Sequence, residues 1–207
     1  PNLQNIPIRT ELGAELRKMF VAGPGNVLVD ADYSQIELRL LAHIAGDKAM
    51  IDGFRSGEDI HTITAAQVFG VARSEVTPSM RRSAKAVNFG IVYGISPFSL
   101  SQDIGVSVQE AKEYMDKYFA HYAGVRAYMD AVVEQAREQG FVSTLYGRRR
   151  WVPELKSSNF NTRSFGERVA LNAPIQGTAA DIIKLAMIRV RDRLRAEGLK
   201  GRLVLQV

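Results

Sequence analysis

The stretch that decides the fold is residues 77–94, which read TPSMRRSAKAVNFGIVYG. The hydroxyl of Thr77 is suited to cap a helix N-terminus. Pro78 is suited to the first helical position, where the N–H that it lacks would be unpaired in any case. At about 100° per residue, one face of this helix carries apolar side chains, namely Met80, Ala84, Val87 and Ile91. The sequence therefore predicts a helix with one packing face.

The opposite face of this helix carries two cations followed by two aromatic residues, Arg81, Lys85, Phe89 and Tyr93. A solvated face usually mixes both signs of charge, whereas this row contains no acid. Its order suits a nucleotide whose phosphates contact the cations and whose flat rings stack on the aromatic residues. Periodicity alone also fits an ordinary basic amphipathic helix. Gly90 costs about 1 kcal/mol relative to alanine, which favours close approach of another molecule to the backbone.

Composition places the chain among globular proteins, with 207 residues of which 46% are hydrophobic. We expect one domain or two closely packed subdomains. No apolar run approaches the roughly 20 residues of a membrane span, so we expect a soluble intracellular protein without a membrane partner. The absence of cysteine excludes disulfides and thiolate metal sites. The net charge of +5 favours an anionic partner.

Two segments read as β-strands near the chain ends. Residues 27–32, VLVDAD, resemble a short buried strand that ends on acids before a helix. Residues 202–207, RLVLQV, are also strand-like. Residues 141–153 predict a hairpin with a basic tip, and a turn at 172–177 is predicted to separate two helices. The expected fold class is therefore α+β and predominantly helical, with a small sheet formed from distant parts of the sequence.

Three segments together resemble a known family. They are DYSQIELR at 32–39, RRSAKAVNFGIVYG at 81–94 and QGTAAD at 176–181. These segments are similar to three signature segments of the family A DNA polymerases, the bacterial DNA polymerase I type, and they occur in the family's order and at about its spacing. The resemblance covers essentially the whole chain, from PNLQNIP to LQV.

The resemblance implies a helical fingers subdomain on part of a small antiparallel palm sheet. Residues 1–40 would belong to the palm, 41–140 to the fingers, and 141–207 to the basic hairpin and the rest of the partial palm. The implied activity is template-directed transfer of deoxynucleotides to a primer 3′-hydroxyl. The implied partners are primer–template DNA and deoxynucleoside triphosphates, in the bacterial cytoplasm at the nucleoid.

A site for two Mg²⁺ ions is also implied, because polymerisation of this type uses two metal ions. The resemblance assigns the carboxylate of Asp32 and the backbone carbonyl of Tyr33 as ligands, and hard cations prefer such oxygen donors. Without the resemblance, Asp32 would be interpreted as a helix N-cap. Asp30 lies on the same side of a regular strand, and we expect it to raise the negative potential without being an essential ligand.

Nucleotide contacts are implied along the helix at residues 78–93. Arg81 and Lys85 match the family's triphosphate contacts and, with Asp32, its catalytic residues. Phe89 matches the residue against the sugar and base. Tyr93 matches the residue that occupies the template-base stacking position until the fingers close.

Two further nucleotide contacts lie outside this helix. His61 matches an additional phosphate contact, although a lone histidine is often structural. Glu37 matches the family's steric gate, which rejects ribonucleotides by crowding the sugar. Taken alone, Glu37 would be an ordinary exposed helix acid.

DNA contacts are implied in the last third of the chain. Asn172 and Gln176 match residues near the minor groove of the nascent base pair, where an amide can check pairing without reading sequence. Turn formation and helix capping are the alternatives for these two residues. The arginines at 148–150, Arg148, Arg149 and Arg150, are placed to meet backbone phosphates, the alternative being a solvated tip.

The family's third motif, His-Asp-Glu, would follow Val207 and would supply the second metal-binding carboxylate. Asp181, on a helix, is not expected to replace it. We therefore expect a fragment of fingers and partial palm that is catalytically incomplete by itself and that self-associates through exposed palm surface. The alternative function is a non-catalytic module that binds nucleic acid or nucleotides.

Overall fold

The computed structural model describes residues 10–206 and is mostly helical. Its helices are α1 Glu11–Arg17, α2 Ile36–Ala45, α3 Lys48–Arg55, α4 Ile60–Phe69, α5 Pro78–Val92, α6 Pro97–Ile104, α7 Val108–His121, α8 Ala123–Gln139 and α9 Phe160–Ala196, with short 3-10 helices at Arg73–Glu75 and Pro153–Lys156. Strands β1 Phe141–Ser143 and β2 Arg149–Trp151 pair antiparallel, with Phe141 opposite Trp151. The predicted α+β, predominantly helical class is confirmed.

The chain divides into two compact units. Among the described residues, the first unit contains 10–34 and 187–206, and the second contains 35–186. The second unit holds the packed helices and the hairpin. The division into palm residues 1–40, fingers residues 41–140 and a third part at 141–207 stays a prediction.

Helix starts follow the local sequence chemistry. The Thr77 hydroxyl accepts the Met80 N–H at 3.2 Å, and Pro78 occupies the first turn of α5. Ser107 and Glu110 form the predicted capping box at the start of α7. These short-range interactions satisfy N–H groups that have no partner within the helix. The predicted beginnings of both helices are confirmed.

The core of the second unit forms where α2, α4, α5, α7 and α8 pack together. The apolar face of α5 is buried as predicted at Ala84, Val87 and Ile91, while Met80 is half-buried. Leu38 of α2 and Ile60 of α4 belong to the same core. This packing fixes the rotation of α5, so its other face points away from the core.

Both strands predicted near the chain ends are absent from the described residues. Residues 27–32 have no regular structure, and Val27 and Val29 are 81% and 86% exposed. Residues 202–206 are likewise irregular and exposed, and Val207 lies outside the described residues. A strand needs a neighbour to pair its N–H and C=O groups. The two-stranded sheet of the described residues contains only β1 and β2, so these two strand predictions are wrong.

The predicted turn at residues 172–177 is also wrong, because α9 continues through it from Phe160 to Ala196. A proline inside a helix costs about 3 kcal/mol. Pro174 nevertheless lies on a buried face with Ala170 and Thr178, and the Thr178 hydroxyl donates to the Pro174 carbonyl at 2.6 Å. Burial of this face therefore outweighs the cost of the proline.

Candidate nucleotide and nucleic-acid site

The cationic end of α5 is paired with an acid from the neighbouring helix α4. Arg81 Nε donates to Asp59 Oδ2 at 2.8 Å, and Arg81 Nη2 donates to Asp59 Oδ1 at 2.9 Å. Asp59 also caps α4, because its Oδ2 accepts from the N–H and hydroxyl of Thr62. The row on α5 contains no acid in sequence, but the fold supplies one from 22 residues away.

This pair keeps both charges over a wide pH range. Burial of Asp59 would raise its pKa, but the hydrogen bonds from Arg81 and Thr62 outweigh burial and hold the pKa well below its ordinary value. The hydrogen bond to Asp59 raises the pKa of Arg81. The Arg81 side chain stays 46% exposed, so part of its guanidinium faces solvent.

Lys85, Phe89 and His61 form the middle of the site. Lys85 Nζ lies 5.8 Å from the centre of the Phe89 ring. The His61 ring, on α4, is also centred 5.8 Å from Phe89. His61 is only 2% exposed, and its Nδ1 lies 3.1 Å from Asn88 Nδ2. Burial lowers the pKa of His61, so the ring is neutral at neutral pH.

Tyr93 ends the row and joins α2 and α9 to it. Its hydroxyl donates to the Glu37 carboxylate at 2.9 and 3.2 Å, and the Gln176 side chain lies beside the same hydroxyl. Burial and the negative charge of Glu37 raise the pKa of Tyr93. The fold thus brings together Glu37, Tyr93 and Gln176, which lie far apart in sequence.

A cavity of about 600 Å³ opens beside the aromatic end of α5. Its lining includes Phe89, Gly90, Tyr93 and Arg168. A Cβ at Gly90 would lie 2.7 Å from Ile95 Cγ2. Ile95 of the same chain therefore approaches Gly90 closely, and the expected approach of another molecule stays a prediction.

Arg168 was not predicted as a site residue, yet it belongs to a row on α9. Arg168, Asn172 and Gln176 are spaced four residues apart, so they share one helix face. Arg168 lines the cavity, and the Asn172 Oδ1 is buried without a hydrogen-bond partner among residues 10–206. The four-residue spacing of these three polar side chains could have identified Arg168 from the sequence. It was missed because residues 172–177 were interpreted as a turn, which would have interrupted the helix.

The three arginines of the basic hairpin differ in their contacts. Arg148 donates from Nε and Nη2 to Asp181 Oδ1 at 3.1 and 2.6 Å. The Arg149 guanidinium lies 4.7 Å from the Phe141 ring centre. Arg149 and Arg150 lie in β2 and are exposed, and the turn itself is at Leu145 and Tyr146. The cations therefore lie along a strand, and the predicted basic tip is corrected.

Asp181 connects the hairpin to α9. It is 7% exposed, and its Oδ2 accepts from the Thr144 hydroxyl at 2.9 Å. The hydrogen bond from Arg148 lowers the pKa of Asp181. A Cβ at Gly177 would lie 2.6 Å from Thr144 Cγ2, so the glycine allows this close packing. Asp181 is thus a structural partner of the hairpin.

The three residues predicted at or near the metal site, two acids and a tyrosine, lie in the first unit. Asp30, Asp32 and Tyr33 are exposed. Within residues 10–206, no three His, Cys, Asp or Glu side chains form a group able to hold a metal ion. No helix in that range is long and apolar enough to cross a membrane.

Comparisons with known proteins agree in pointing to one family. The sequence profile of DNA polymerase family A matches residues 1–207. DNA polymerase I of Geobacillus stearothermophilus is 56% identical over 208 residues, which cover 100% of this chain and 24% of that protein. DNA polymerase I of Caldicellulosiruptor bescii is 55% identical over 207 residues, with coverages of 100% and 24%.

One solved structure is similar over the whole chain. It is the POL domain of Pol1 from M. smegmatis in complex with DNA primer–template and dNTP. The TM-score is 0.92 at 50% identity, and the match covers 100% of this chain and 37% of that one. The chain thus spans about a quarter of the length of the curated relatives above.

Proposed function

Because the chain belongs to DNA polymerase family A, we propose that it forms the nucleotide-binding part of an enzyme that adds deoxynucleotides to a primer 3′-hydroxyl. The observation that carries this proposal is the face of α5, where Arg81 and Lys85 precede Phe89 and Tyr93. The two relatives described above are named DNA polymerase I, which supports DNA-directed DNA synthesis as the activity of the whole protein.

In this proposal, Arg81 and Lys85 bind the triphosphate. A guanidinium has five N–H donors, and Asp59 occupies one on Nε and one on Nη2. The remaining donors are available to a phosphate, whose planar bidentate recognition suits arginine. Lys85 is exposed one turn further along α5 and adds a second positive charge. Phosphate binding at this end places the base and sugar toward Phe89.

We assign His61 to a further phosphate contact and Glu37 to exclusion of ribonucleotides. The Tyr93 hydroxyl holds the Glu37 carboxylate at 2.9 Å, so the acid has a fixed position. A fixed carboxylate beside the sugar excludes a 2′-hydroxyl by its shape and charge. Tyr93 also borders the cavity of about 600 Å³, which is large enough for a base.

We propose that DNA is bound by the polar row of α9 and by the hairpin. Arg168, Asn172 and Gln176 share one face, and the two amides are suited to acceptors in the minor groove. The exposed Arg149 and Arg150 contact phosphates, while Arg148 orients the hairpin through Asp181. The M. smegmatis structure contains primer–template DNA and dNTP, which supports both partners here.

Two Mg²⁺ ions complete the proposed mechanism. The Asp32 carboxylate and the Tyr33 carbonyl are exposed oxygen donors, the type that Mg²⁺ prefers. When bound, the metal supplies stabilisation of charge on the attacking and leaving oxygens. Asp30 adds negative potential nearby in sequence. Because the chain matches only 24% of its relatives' length, we propose that other parts of the protein supply further ligands and that this chain alone does not catalyse extension.

A chimera tests this function most directly. These residues would replace the matching segment of the G. stearothermophilus polymerase, with an Asp32→Asn chimera as the matched control. We expect Mg²⁺-dependent primer extension by the chimera, loss of extension but not of DNA binding in the Asp32→Asn form, and no extension by the 207-residue chain alone. Binding without extension by a folded chimera would instead support a non-catalytic module. Extension by the chain alone would contradict its incompleteness.

Two finer properties follow from the same proposal. The exposed Val27, Leu28 and Leu205 promote self-association of the isolated chain, because apolar surface is removed from water on contact. Sedimentation equilibrium would measure this, and a monomer at all concentrations would contradict it. We place the protein at the nucleoid in the bacterial cytoplasm, where its DNA substrate lies.

A further inference from the structure

A buried chain of polar side chains runs from the site into the core. His61 Nδ1 lies 3.1 Å from Asn88 Nδ2, and the Thr64 hydroxyl lies 3.2 Å from Asn88 Oδ1. The Tyr122 hydroxyl lies 3.3 Å from the Thr64 hydroxyl. His61 is 2% exposed, and the other three residues are fully buried. These four residues lie in α4, in α5 and at the position between α7 and α8, so their contacts connect these parts of the fold.

The donors and acceptors among these four side chains determine which nitrogen of His61 carries the proton. The Asn88 side chain contacts the Thr64 hydroxyl with both ends, since its Oδ1 accepts from that hydroxyl at 3.2 Å and its Nδ2 donates to the hydroxyl oxygen at 3.1 Å. Its amide nitrogen is a donor and faces His61 Nδ1. Nδ1 must then carry a lone pair, because two N–H groups facing each other would leave a buried donor unpaired. The proton of the neutral ring is therefore on Nε2.

We propose that Asn88 is a positioning residue that fixes His61 as the Nε2–H tautomer, so that the ring presents one neutral N–H donor to a phosphate oxygen of the bound nucleoside triphosphate. This inference rests on the proposed function for its ligand. It assigns a role to Asn88, a fully buried residue of α5 that contacts the site only through His61. The His61 ring, on α4, is centred 5.8 Å from Phe89, which belongs to the α5 row that begins with Arg81 and Lys85.

The role of a fixed tautomer differs from that of the two cations. Arg81 and Lys85 attract any anion, whereas a neutral N–H held in one orientation interacts only with an acceptor at one place. A ring free to exchange tautomers would present a lone pair to the phosphate for part of the time. Asn88 prevents this because its amide nitrogen, a donor, is the atom that faces His61 Nδ1.

The tautomer is measured directly by the ¹⁵N chemical shifts of the imidazole nitrogens in this chain at neutral pH. We expect His61 Nε2 to have the shift of a protonated ring nitrogen and Nδ1 that of an unprotonated one. His43 is the internal reference, because it is exposed in α2. The reversed pattern, or two averaged shifts at His61, would overturn the inference whatever the variants do.

A kinetic cycle in the chimera tests the positioning role. We expect His61→Ala and Asn88→Ala each to raise KM for the deoxynucleotide by about tenfold, the effect of a lost hydrogen bond to a charged group. The double variant should raise KM no further, because both changes remove one interaction. Additive effects, or an unchanged KM in Asn88→Ala, would overturn the role of Asn88.

The two hypotheses fail differently. If the unsubstituted chimera folds but does not extend a primer, the proposed function fails. The ¹⁵N shifts are recorded without substrate, so they still decide the tautomer in that case.

Discussion

Two arginine–aspartate pairs in this molecule have similar bonds and different surroundings. Arg81 makes two hydrogen bonds to Asp59, and Arg148 makes two to Asp181. The arginines are similarly open, with side chains 46% and 59% exposed. The acids differ, because the Asp59 side chain is 32% exposed and that of Asp181 is 7% exposed.

The burial of the acid decides what its arginine can do. If Arg81 turns toward a phosphate, Asp59 keeps the two Thr62 donors and gains water. If Arg148 turns away, the buried Asp181 keeps only the Thr144 hydroxyl among its described hydrogen bonds. An uncompensated buried charge is strongly destabilising. We therefore propose that Arg81 can exchange Asp59 for a ligand, whereas Arg148 is a fixed part of the fold.

The largest expected effect is on nucleotide use. In the chimera, Arg81→Ala should lower kcat/KM for a deoxynucleotide about a hundredfold, because a charged donor to the phosphates is lost. Arg148→Ala should lower it about fivefold or less, since it acts only through the hairpin. Steady-state kinetics at fixed DNA measures both. Equal losses of kcat/KM in the two variants would contradict the distinction between an exchangeable Arg81 and a fixed Arg148.

Thermal stability should show the reverse order. In this chain, Arg81→Ala should lower Tm by less than about 3 °C, because an exposed pair contributes little. Arg148→Ala should lower Tm by clearly more, since it leaves the buried Asp181 carboxylate without its arginine partner. Calorimetry would test this, with Arg150→Ala as a control for loss of an exposed hairpin arginine. A control that loses as much as Arg148→Ala would show that burial of the acid is irrelevant.

A smaller effect is expected when the exchangeable pair loses its acid. Asp59→Asn keeps a good helix cap but removes the negative charge that competes for Arg81. Binding of inorganic tripolyphosphate should tighten about threefold at low salt, and the gain should disappear at high salt. Isothermal titration calorimetry measures this. Weaker binding would mean that Asp59 holds Arg81 in place for the ligand and does not compete with it.

The smallest expected effect is the response to acid. Both aspartates have a folded-state pKa below the ordinary 3.8. Each therefore contributes stability that is present above pH 3.8 and is lost as the pH falls through the folded-state value. Carboxyl ¹³C shifts should show both groups still ionised at pH 3.8. A midpoint at or above 3.8 for either group would contradict its pairing.

Local sequence rules predicted those features of the fold that depend only on residues close together in the sequence. The start of α5 at Thr77 and Pro78, its buried face and its opposite row all follow from spacing within one helix. The capping box at Ser107 follows from residues three apart. Such features are independent of the rest of the fold, so the sequence alone is sufficient for them.

The remaining features depend on residues distant in sequence. Asp59 and Asp181 lie 22 and 33 residues from their arginines, so no local pattern reveals either pair. Pro174 suggested a turn, but a buried face holds α9 together and brings Arg168 into line with Gln176. The strand predicted at residues 27–32 failed because alternation does not provide the partner that a strand requires.

The most direct test of the account is the exchange of Arg81 from Asp59 to a phosphate. The side-chain Nε–H signals of Arg81 and Arg148 would be followed by NMR while a deoxynucleoside triphosphate is added to this chain. We expect the Arg81 signal to shift in a saturable way and the Arg148 signal to stay in place. A saturable shift of Arg148, or binding that leaves Arg81 unchanged, would contradict the account.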